Sequence, residues 1–376
     1  MIEIKISTLF LIISYILIIS AGIQIIYYLF FYLRICFVKR KQPHVSTVPI
    51  SVIICAQNEE DNLRKHLSAI ITQKYPEFEI VVIDDCSEDD TEFYVRKLAQ
   101  DHAHITYRKI VKDPKFRHNK KLAITLGIKA ATYNHFVFTD ADCYPTSDEW
   151  LQKISNEFTP RTHIILGYGG YKPTRGFLDK LVRYDTFSIA LQYLSFAHAG
   201  IPYMGVGRNM AYTRHIYEQS SKFRHHYHIR SGDDDLFIRE MAHRQNTNIC
   251  LNKKSFTLSE QVQTFKEWRS QKKRHLHTAV KYSFLHKILL LLEPLSRLLF
   301  YICLPVFFTY NITQFYYTAI SCIALRFIFF LVINNCAMNR LKEKKLLVYS
   351  LLFDFVLPII ILVLHIQNKI YSLSKK

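Results

Sequence analysis

VPISVIICAQNEEDNLRKHLSAIITQKYPEFEIVVIDDCSEDD, which spans residues 48–90, decides the fold class. It opens with an apolar run of strand length, Ile50–Ala56, and it closes with a second such run, Glu79–Ile83. Between them lies an amphipathic helix pattern with acidic residues in its first turn, for which Asn58 is the predicted N-cap. The order strand, helix, strand predicts one unit of an α/β sheet.

The same alternation continues after residue 90. We predict a helix at Thr91–Gln100, a strand at His104–Arg108, a helix at Lys120–Ala131 and a strand at His135–Thr139. Strand and helix in turn predict an α/β domain with a mostly parallel sheet. Acidic residues recur just past the carboxyl ends of these strands, where open α/β sheets bind their ligands.

Apolar segments flank this central region. Ile6–Leu33 contains no charged residue and is long enough to span a bilayer. It is too long for the apolar region of a signal peptide, and no small-residue cleavage site precedes the basic cluster, so an uncleaved anchor is favoured. The predicted domains are an anchor at 1–40, a soluble domain at 45–280 and a C-terminal membrane region at 281–376.

About three hydrophobic segments are predicted in the C-terminal region. Glu293 and Arg297 interrupt the first segment. We therefore expect it to lie along the interface from Phe284 and to cross the membrane only from about Leu298 to Tyr310. The other two segments are predicted spans, Tyr316–Ala337 and Leu346–Ile366.

The chain is basic, with 49 Lys and Arg against 31 Asp and Glu in 376 residues. The basic clusters Arg34–Lys41, Lys253–Arg274 and Arg340–Lys345 lie beside apolar spans. This placement favours an anionic membrane face over nucleic acid as the partner, and it predicts a cytoplasmic soluble domain. The cysteines show no C-x-x-C pair and no zinc-site spacing, so we expect them to be small buried hydrophobic residues.

The motif Asp140-Ala141-Asp142 follows the predicted strand HFVFT directly. Two carboxylates on one turn can hold a hard divalent cation, Mg²⁺ or Mn²⁺, against a diphosphate. Such a cation neutralises the charge that develops on a departing nucleoside diphosphate. Asp140 and Asp142 are therefore the predicted metal ligands.

A second acidic motif, Ser231-Gly232-Asp233-Asp234-Asp235-Leu236, lies in the second half of the domain. Adjacent carboxylates raise one another's pKa, which suits a general base. The alternative is an acidic helix start with Ser231 as its cap.

These motifs together resemble family 2 glycosyltransferases of the GT-A (Rossmann-like) fold, in particular processive polysaccharide synthases and ceramide glucosyltransferases. The resemblance covers roughly residues 48–278. Members of this family show an N-E-E helix start and a strand that ends in D-D-x-S. The resemblance implies that Asp84 and Asp85 contact the base and ribose of the donor. It also places Lys120, in the segment NKKLAITLGI, and Asp140 near the donor diphosphate.

The acidic motif resembles the family's E-D-x-D-L region. Aligned on Leu236, Asp233 takes the place of the catalytic aspartate, and Asp234 takes it under a shift of one residue. The segment YMGVGRNMAY resembles the family's acceptor-side glycine-rich segment, which implies acceptor contacts at Gly207 and Asn209.

The segment WRSQKKRH resembles the Q-x-x-R-W box of membrane-embedded synthases. Gln271 and Arg274 match that box and are implied to bind donor phosphates. His275 stands in place of the tryptophan and is implied to contact the acceptor. The alternative is a basic helix at the membrane surface.

The resemblance implies an inverting, metal-dependent transferase that takes a sugar from a nucleotide sugar, most simply a UDP-sugar. The acceptor would be a polysaccharide or a lipid, and nucleic acid is not an expected partner. The expected location is a bacterial plasma membrane. The alternative function is that of a non-catalytic sugar- or nucleotide-binding membrane protein derived from such an enzyme.

Overall fold

The computed structural model describes residues 2–38, 45–112, 119–227, 229, 231–279, 281–309 and 313–373. Lys39–Lys41 of the first basic cluster therefore lie outside the described residues. The chain forms two compact units. We call Val38–Arg175 with Phe196–Gln263 the sheet unit, and Met1–Phe37 with Gly176–Ser195 and Thr264–Lys376 the helical unit.

The strands are β1 (Ile50–Ala56), β2 (Phe78–Asp85), β3 (Ile105–Ile110), β4 (His135–Asp140), β5 (Cys143–Pro145), β6 (Ile164–Gly167), β7 (Gly169–Tyr171), β8 (Met210–Thr213), β9 (Thr247–Cys250) and β10 (Thr257–Ser259). The helices are α1 (Ile2–Tyr27), α2 (Leu33–Cys36), α3 (Glu60–Ile71), α4 (Thr91–Asp101), α5 (Lys120–Ala130), α6 (Trp150–Ser155), α7 (Phe177–His198), α8 (Arg214–Gln219), α9 (Asp235–Met241), α10 (Phe265–Ala279), α11 (Phe284–Thr309), α12 (Thr313–Arg340) and α13 (Leu347–Leu373). A π-helical turn at Tyr28–Tyr32 connects α1 and α2, and a 3₁₀ turn covers Arg224–His226.

A seven-stranded sheet in the order β3-β2-β1-β4-β8-β6-β9 forms the sheet unit. Strands β3, β2, β1 and β4 are parallel, whereas β8 is antiparallel to both β4 and β6. The predicted mostly parallel α/β sheet is confirmed. Strand β1 lies inside the sheet, between β2 and β4, and its Val and Ile side chains are buried on both faces, as in other parallel sheets.

The carboxyl ends of the parallel strands meet at one edge of this sheet. Ala56 at the end of β1 pairs with Asp84 of β2, and Cys55 pairs with Asp140 of β4. The acidic residues at the ends of β2 and β4 therefore lie at the same edge of the sheet, with β1 between them. A second, three-stranded sheet in the order β5-β10-β7 begins immediately after Asp142.

The helix after β1 begins later than predicted. Its first residue is Glu60 and its N-cap is Glu59, so the prediction that Asn58 caps it is wrong. Asn58 has a left-handed backbone with φ of 56°. Its Oδ1 atom accepts a hydrogen bond from Glu88 N at 2.8 Å, and its own N donates to Ser87 Oγ at 2.9 Å. Asn58 thus connects the loops that follow β1 and β2.

Four helical stretches are long and apolar enough to cross a membrane, judged by length and composition: Thr8–Cys36, Phe284–Phe308, Tyr316–Arg340 and Leu347–Gln367. The first, third and fourth agree with predicted spans. Helix α11 is one continuous helix from Phe284 to Thr309, and the interfacial segment before a span near Leu298 stays a prediction. The charges that suggested an interface are neutralised locally, since Arg297 pairs with Glu293 one turn away.

Four charged residues in these helices form what we call the apolar-helix ion cluster: Glu293, Arg297, Arg326 and Asp354. Arg326 and Asp354 are both fully buried and form an ion pair. Arg297 Nε lies 3.4 Å from the other oxygen of Asp354. Gln24 of α1 accepts from Arg326 Nε at 2.9 Å, so all four candidate spans contribute or contact a member of the cluster.

Candidate active site

The end of β4 carries the two predicted metal ligands, Asp140 and Asp142, on either side of the buried Ala141. One ligand atom from each of Asp140, Asp142 and Cys143 lies within 4.8 Å of the others. Burial and the neighbouring carboxylates raise the pKa of Cys143 well above its ordinary value, so its thiol stays protonated. That thiol donates to Asp142 Oδ1 at 3.2 Å. The two carboxylates therefore fit a hard divalent cation, and the thiol orients one of them.

Lys120 is the first residue of α5, whose N-terminus is capped by Asn119 accepting from Leu122 N at 3.1 Å. Its Nζ atom lies 2.5 Å from Asp140 Oδ1 and 3.5 Å from Asp233 Oδ2. Burial lowers the pKa of Lys120, but the charges of Asp140 and Asp233 outweigh it, and the pKa is well above its ordinary value. Lys120 thus joins the D-x-D motif to the acidic motif.

The acidic motif forms the start of α9 and is fixed by a second lysine. Lys121 is fully buried, and its Nζ donates to Ile229 O and Ser231 O, both at 2.7 Å. The cap of α9 is Asp234, whose Oδ1 accepts from Asp235 N at 2.8 Å. Ser231, the cap in the alternative interpretation, instead bonds through its carbonyl to Lys121.

Asp233 and Asp234 have different surroundings. Asp234 Oδ2 accepts from Gly207 N at 2.8 Å, so both of its oxygens are held by backbone N–H groups. Asp233 Oδ2 is buried and has no hydrogen-bond donor among the residues that the structure describes, although Lys120 faces it. Of the two carboxylates, Asp233 has an oxygen available to take a proton.

Crowding of carboxylates shifts the pKa values at this site. Burial, Asp233 and Asp235 together raise the pKa of Asp234 to about 7. Burial and the charge of Asp140 also raise the pKa of Asp142. Burial acts in the same direction on Asp140, but the charge and hydrogen bond of Lys120 outweigh it and lower the pKa of Asp140.

Comparison with known proteins assigns a family to part of the chain. Residues 51–221 match the sequence model of "Glycosyl transferase family 2". This domain belongs to that family. The resemblance seen in the sequence is therefore confirmed for the part of the chain that carries the D-x-D motif and the segment around Gly207.

Two relatives are each 31% identical to a stretch of this chain. One is the poly-beta-1,6-N-acetyl-D-glucosamine synthase of Staphylococcus epidermidis, matched over 150 residues, or 40% of this chain. The other is the glycosyltransferase AglE of Haloferax volcanii, matched over 111 residues, or 29% of this chain. The matched stretch spans 35% of the length of each relative.

A solved structure with the same fold is the mannosyltransferase PcManGT from Pyrobaculum calidifontis in complex with GDP-Man and Mn²⁺. The TM-score is 0.56 at 17% sequence identity, and the likeness covers 91% of this chain and 98% of that one. The predicted GT-A fold of the family 2 domain is thereby confirmed.

The structure places the two predicted base and ribose contacts of this domain differently. Asp84 is fully buried, and its oxygens accept from Ser87 N at 2.8 Å and Tyr107 Oη at 2.7 Å. Both oxygens of Asp84 are thus hydrogen-bonded within the protein, where they stabilise the loop after β2. Asp85 is the last residue of β2, at the edge of the sheet where Asp140 also lies. Asp85 is thus the carboxylate that we retain as a donor contact.

The two predicted acceptor residues also differ. A Cβ atom on Gly207 would lie 3.3 Å from Lys120 Nζ and 3.6 Å from Asp234 Oδ2, so Gly207 borders the cluster. Asn209 is fully buried. Its Nδ2 donates to Tyr168 O and Ser255 O, and its Oδ1 accepts from Trp150 Nε1. This geometry gives Asn209 a structural role and does not support an acceptor contact.

Gln271, Arg274 and His275 lie on α10 of the helical unit. Gln271 is half-buried, and Arg274 and His275 are exposed within that unit. The helix is anchored through the buried Trp268, whose Nε1 donates to Asp185 at 3.0 Å. Donor and acceptor contacts for these three residues remain predictions.

Sequence reasoning missed two cations of the site, Lys121 and Arg208. Two adjacent lysines are typical of a solvent-exposed helix start, so nothing in the sequence indicated that Lys121 is buried. Arg208 lay within the quoted glycine-rich segment, and its charge acts on both Asp140 and Asp142. A charged residue between two positions that need small or buried side chains is the signal that could have identified it.

Proposed function

We propose that the chain is a membrane-bound glycosyltransferase that moves a sugar from a nucleoside diphosphate sugar to a polysaccharide or lipid acceptor. Its transfer inverts the anomeric centre and depends on a divalent cation, Mg²⁺ or Mn²⁺. The family 2 domain and the named synthase relative support this class of reaction. The matched stretch spans only 35% of the length of that relative, so the support comes from this stretch and not from the whole relative.

One observation carries the proposal, namely that Lys120 joins Asp140 at the end of β4 to Asp233 before α9. These residues lie 93 positions apart in the chain, from 140 to 233. A structural role alone would not require the half-buried Asp140 and the buried Asp233 to share one lysine, because the two carboxylates repel each other. A site that binds a metal and a diphosphate while holding a base explains the arrangement.

Each group has a role in this mechanism. Asp140 and Asp142 would hold the divalent cation, which supplies positive charge for the departing nucleoside diphosphate. Lys120 adds a second cation beside the same phosphates. Asp233 accepts the proton of the acceptor hydroxyl while that oxygen attacks the anomeric carbon. The bond from that carbon to the diphosphate breaks on the opposite face, which inverts its configuration.

The donor base and ribose are proposed to lie at Asp85, because a carboxylate accepts the imide N–H of uracil or a ribose hydroxyl. Gly207 is proposed to border the acceptor sugar. A nucleotide at this edge follows the rule that open α/β sheets bind ligands beyond the carboxyl ends of their strands.

We also propose the membrane arrangement. The domains are an anchor at 1–40, a cytoplasmic catalytic domain at 45–280 and a membrane region at 281–376. Within the helical unit, Arg183 of α7 pairs with Glu343 at 2.5 Å and donates to Lys344 O at 3.1 Å. The basic connection between α12 and α13 thus lies on the same side as α7, which supports a cytoplasmic location for both.

Product analysis tests the proposal. The full chain is purified in lipid and given Mn²⁺ with UDP-glucose, UDP-N-acetylglucosamine or GDP-mannose, together with extracted lipid or oligosaccharide acceptors. We expect a glycosylated product and a released nucleoside diphosphate with one donor. Tight nucleotide binding without turnover on any acceptor would favour the non-catalytic alternative.

A further inference from the structure

Arg208 lies in the loop before β8 and has a half-buried side chain. Its guanidinium carbon is 4.6 Å from the centre of the Tyr171 ring. Its Nη1 lies 3.5 Å from Ser259 Oγ, and its carbonyl accepts from Thr257 Oγ1 at 2.9 Å. The side chain is thus held by the edge of the small sheet, on residues of β7 and β10.

Gly169 makes room for this side chain. A Cβ atom at Gly169 would lie 2.9 Å from Arg208 Cγ and 3.1 Å from Cδ, closer than carbon atoms normally approach. Any larger residue at position 169 would displace the arginine. The small sheet therefore forms a cradle shaped around Arg208.

The charge of Arg208 is not neutralised by this cradle. Within the part of the chain that the structure describes, no carboxylate lies within ion-pair distance of its guanidinium. Ser259 Oγ, beside Arg208, is 2.9 Å from Cys143 Sγ, which in turn contacts Asp142. Arg208 therefore borders the D-x-D motif without pairing with it.

We propose that Arg208 binds a phosphate group at the D-x-D motif, which is the donor diphosphate in the function proposed above. A partly desolvated guanidinium prefers an anionic partner, and its planar fork matches two phosphate oxygens. A diphosphate between Arg208 and the D-x-D carboxylates would neutralise the arginine, and its remaining charge would be balanced by the divalent cation that these carboxylates would hold. A phosphorylated lipid acceptor would offer the same chemistry.

Binding of inorganic pyrophosphate tests the inference without any sugar transfer. The full chain in detergent is titrated with pyrophosphate and, separately, with decyl phosphate, both in Mn²⁺. We expect Arg208→Gln to weaken pyrophosphate binding by about 10- to 100-fold, the scale of a charged hydrogen-bonded pair. A loss confined to decyl phosphate would assign Arg208 to a phosphorylated acceptor. Unchanged affinity for both ligands would overturn the inference.

Three further variants allow the inference to be tested even if Arg208→Gln does not fold. Gly169→Ala retains the arginine but displaces it, so pyrophosphate binding should weaken again. Arg208→Lys keeps the charge and should still lose several-fold, because an ammonium cannot form two parallel bonds. If Arg208→Gln does not fold, full pyrophosphate affinity in Arg208→Lys and in Gly169→Ala would overturn the inference. Arg161→Gln, at an exposed loop position, is the matched control and should leave affinity unchanged.

Discussion

Lys120 Nζ lies 2.5 Å from Asp140 Oδ1, so the first carboxylate of the D-x-D motif is paired with a lysine of the same sheet unit. Asp142 differs. Among the described residues, no cation lies within ion-pair distance of its carboxylate, and its side-chain partner is the Cys143 thiol. The D-x-D pair therefore retains negative charge that a divalent cation would balance.

This difference predicts that Asp142→Asn weakens UDP binding in Mn²⁺ by about tenfold or more, because the metal loses a charged ligand. In EDTA the variant and the wild type should bind UDP equally weakly. Calorimetric titration of the full chain measures both. Asp148→Asn, in an exposed ion pair with Lys74, is the control and should behave as wild type. Equal UDP binding by the wild type in Mn²⁺ and EDTA would refute metal-dependent binding.

A second prediction concerns the base. Asp233→Asn should keep nucleotide affinity but reduce turnover by about 10²-fold or more, the usual scale of general base catalysis. Asp234→Asn should reduce turnover less, because Asp234 acts through backbone bonds to Gly207 and Asp235. Initial rates at saturating donor distinguish them. An inactive Asp234→Asn beside an active Asp233→Asn would exchange the two roles.

The pKa of Asp234 predicts how stability depends on pH. Because the folded pKa of about 7 exceeds the ordinary value of 3.8, the folded state binds the proton more tightly than the unfolded state. Stability from this group is therefore lost as pH rises between these two values. The Asp234→Asn variant lacks this pH dependence. The difference in Tm between the wild type and Asp234→Asn, taken as wild type minus variant, should therefore decrease from about pH 5 to about pH 8 in EDTA. Parallel curves would contradict the prediction.

The apolar-helix ion cluster predicts an asymmetric effect on stability. Asp354→Leu should cost about 3–5 kcal/mol, because it leaves buried Arg326 without its carboxylate and removes the contact with Arg297. Arg326→Leu should cost less, since Asp354 keeps Arg297. The double variant should recover part of the loss. Thermal unfolding in detergent measures all three, and equal additive losses would contradict the pairing.

The proposed orientation of the chain in the membrane predicts on which side of the membrane an inserted reporter gives its signal. Gln219 is exposed at the end of α8 and therefore suits an inserted reporter, which should signal from the cytoplasm if the proposed location of the domain is right. If all three C-terminal candidate spans cross, a reporter fused after Lys376 should signal from the outer face. An external signal at Gln219 would refute the cytoplasmic domain. A cytoplasmic signal after Lys376 would mean that one candidate span does not cross.

Much of the fold follows from local sequence. The runs ISVIICA and HFVFT are strands because β-branched and aromatic side chains fill a sheet that is buried on both faces. Asp140 and Asp84 lie at the same edge of the sheet, on either side of β1, because all three strands are parallel. Local sequence does not reveal partners that lie far apart in the chain. The bonds of Asn209 to Trp150 and Ser255 depend on such partners, and so does the anchoring of Ser231 by Lys121.

The Arg326–Asp354 pair has a consequence for how the chain enters the membrane. Helix α12 alone would expose a guanidinium to lipid, at a cost of about 2.5–3.5 kcal/mol on insertion scales. Helix α13 alone would expose a carboxylate. The connection between them covers only residues 341–346, so each charge can meet its partner as soon as both helices have been synthesised. Insertion of α12 and α13 as one hairpin avoids both costs, and a chain that stopped before α13 would leave Arg326 in the bilayer without its carboxylate.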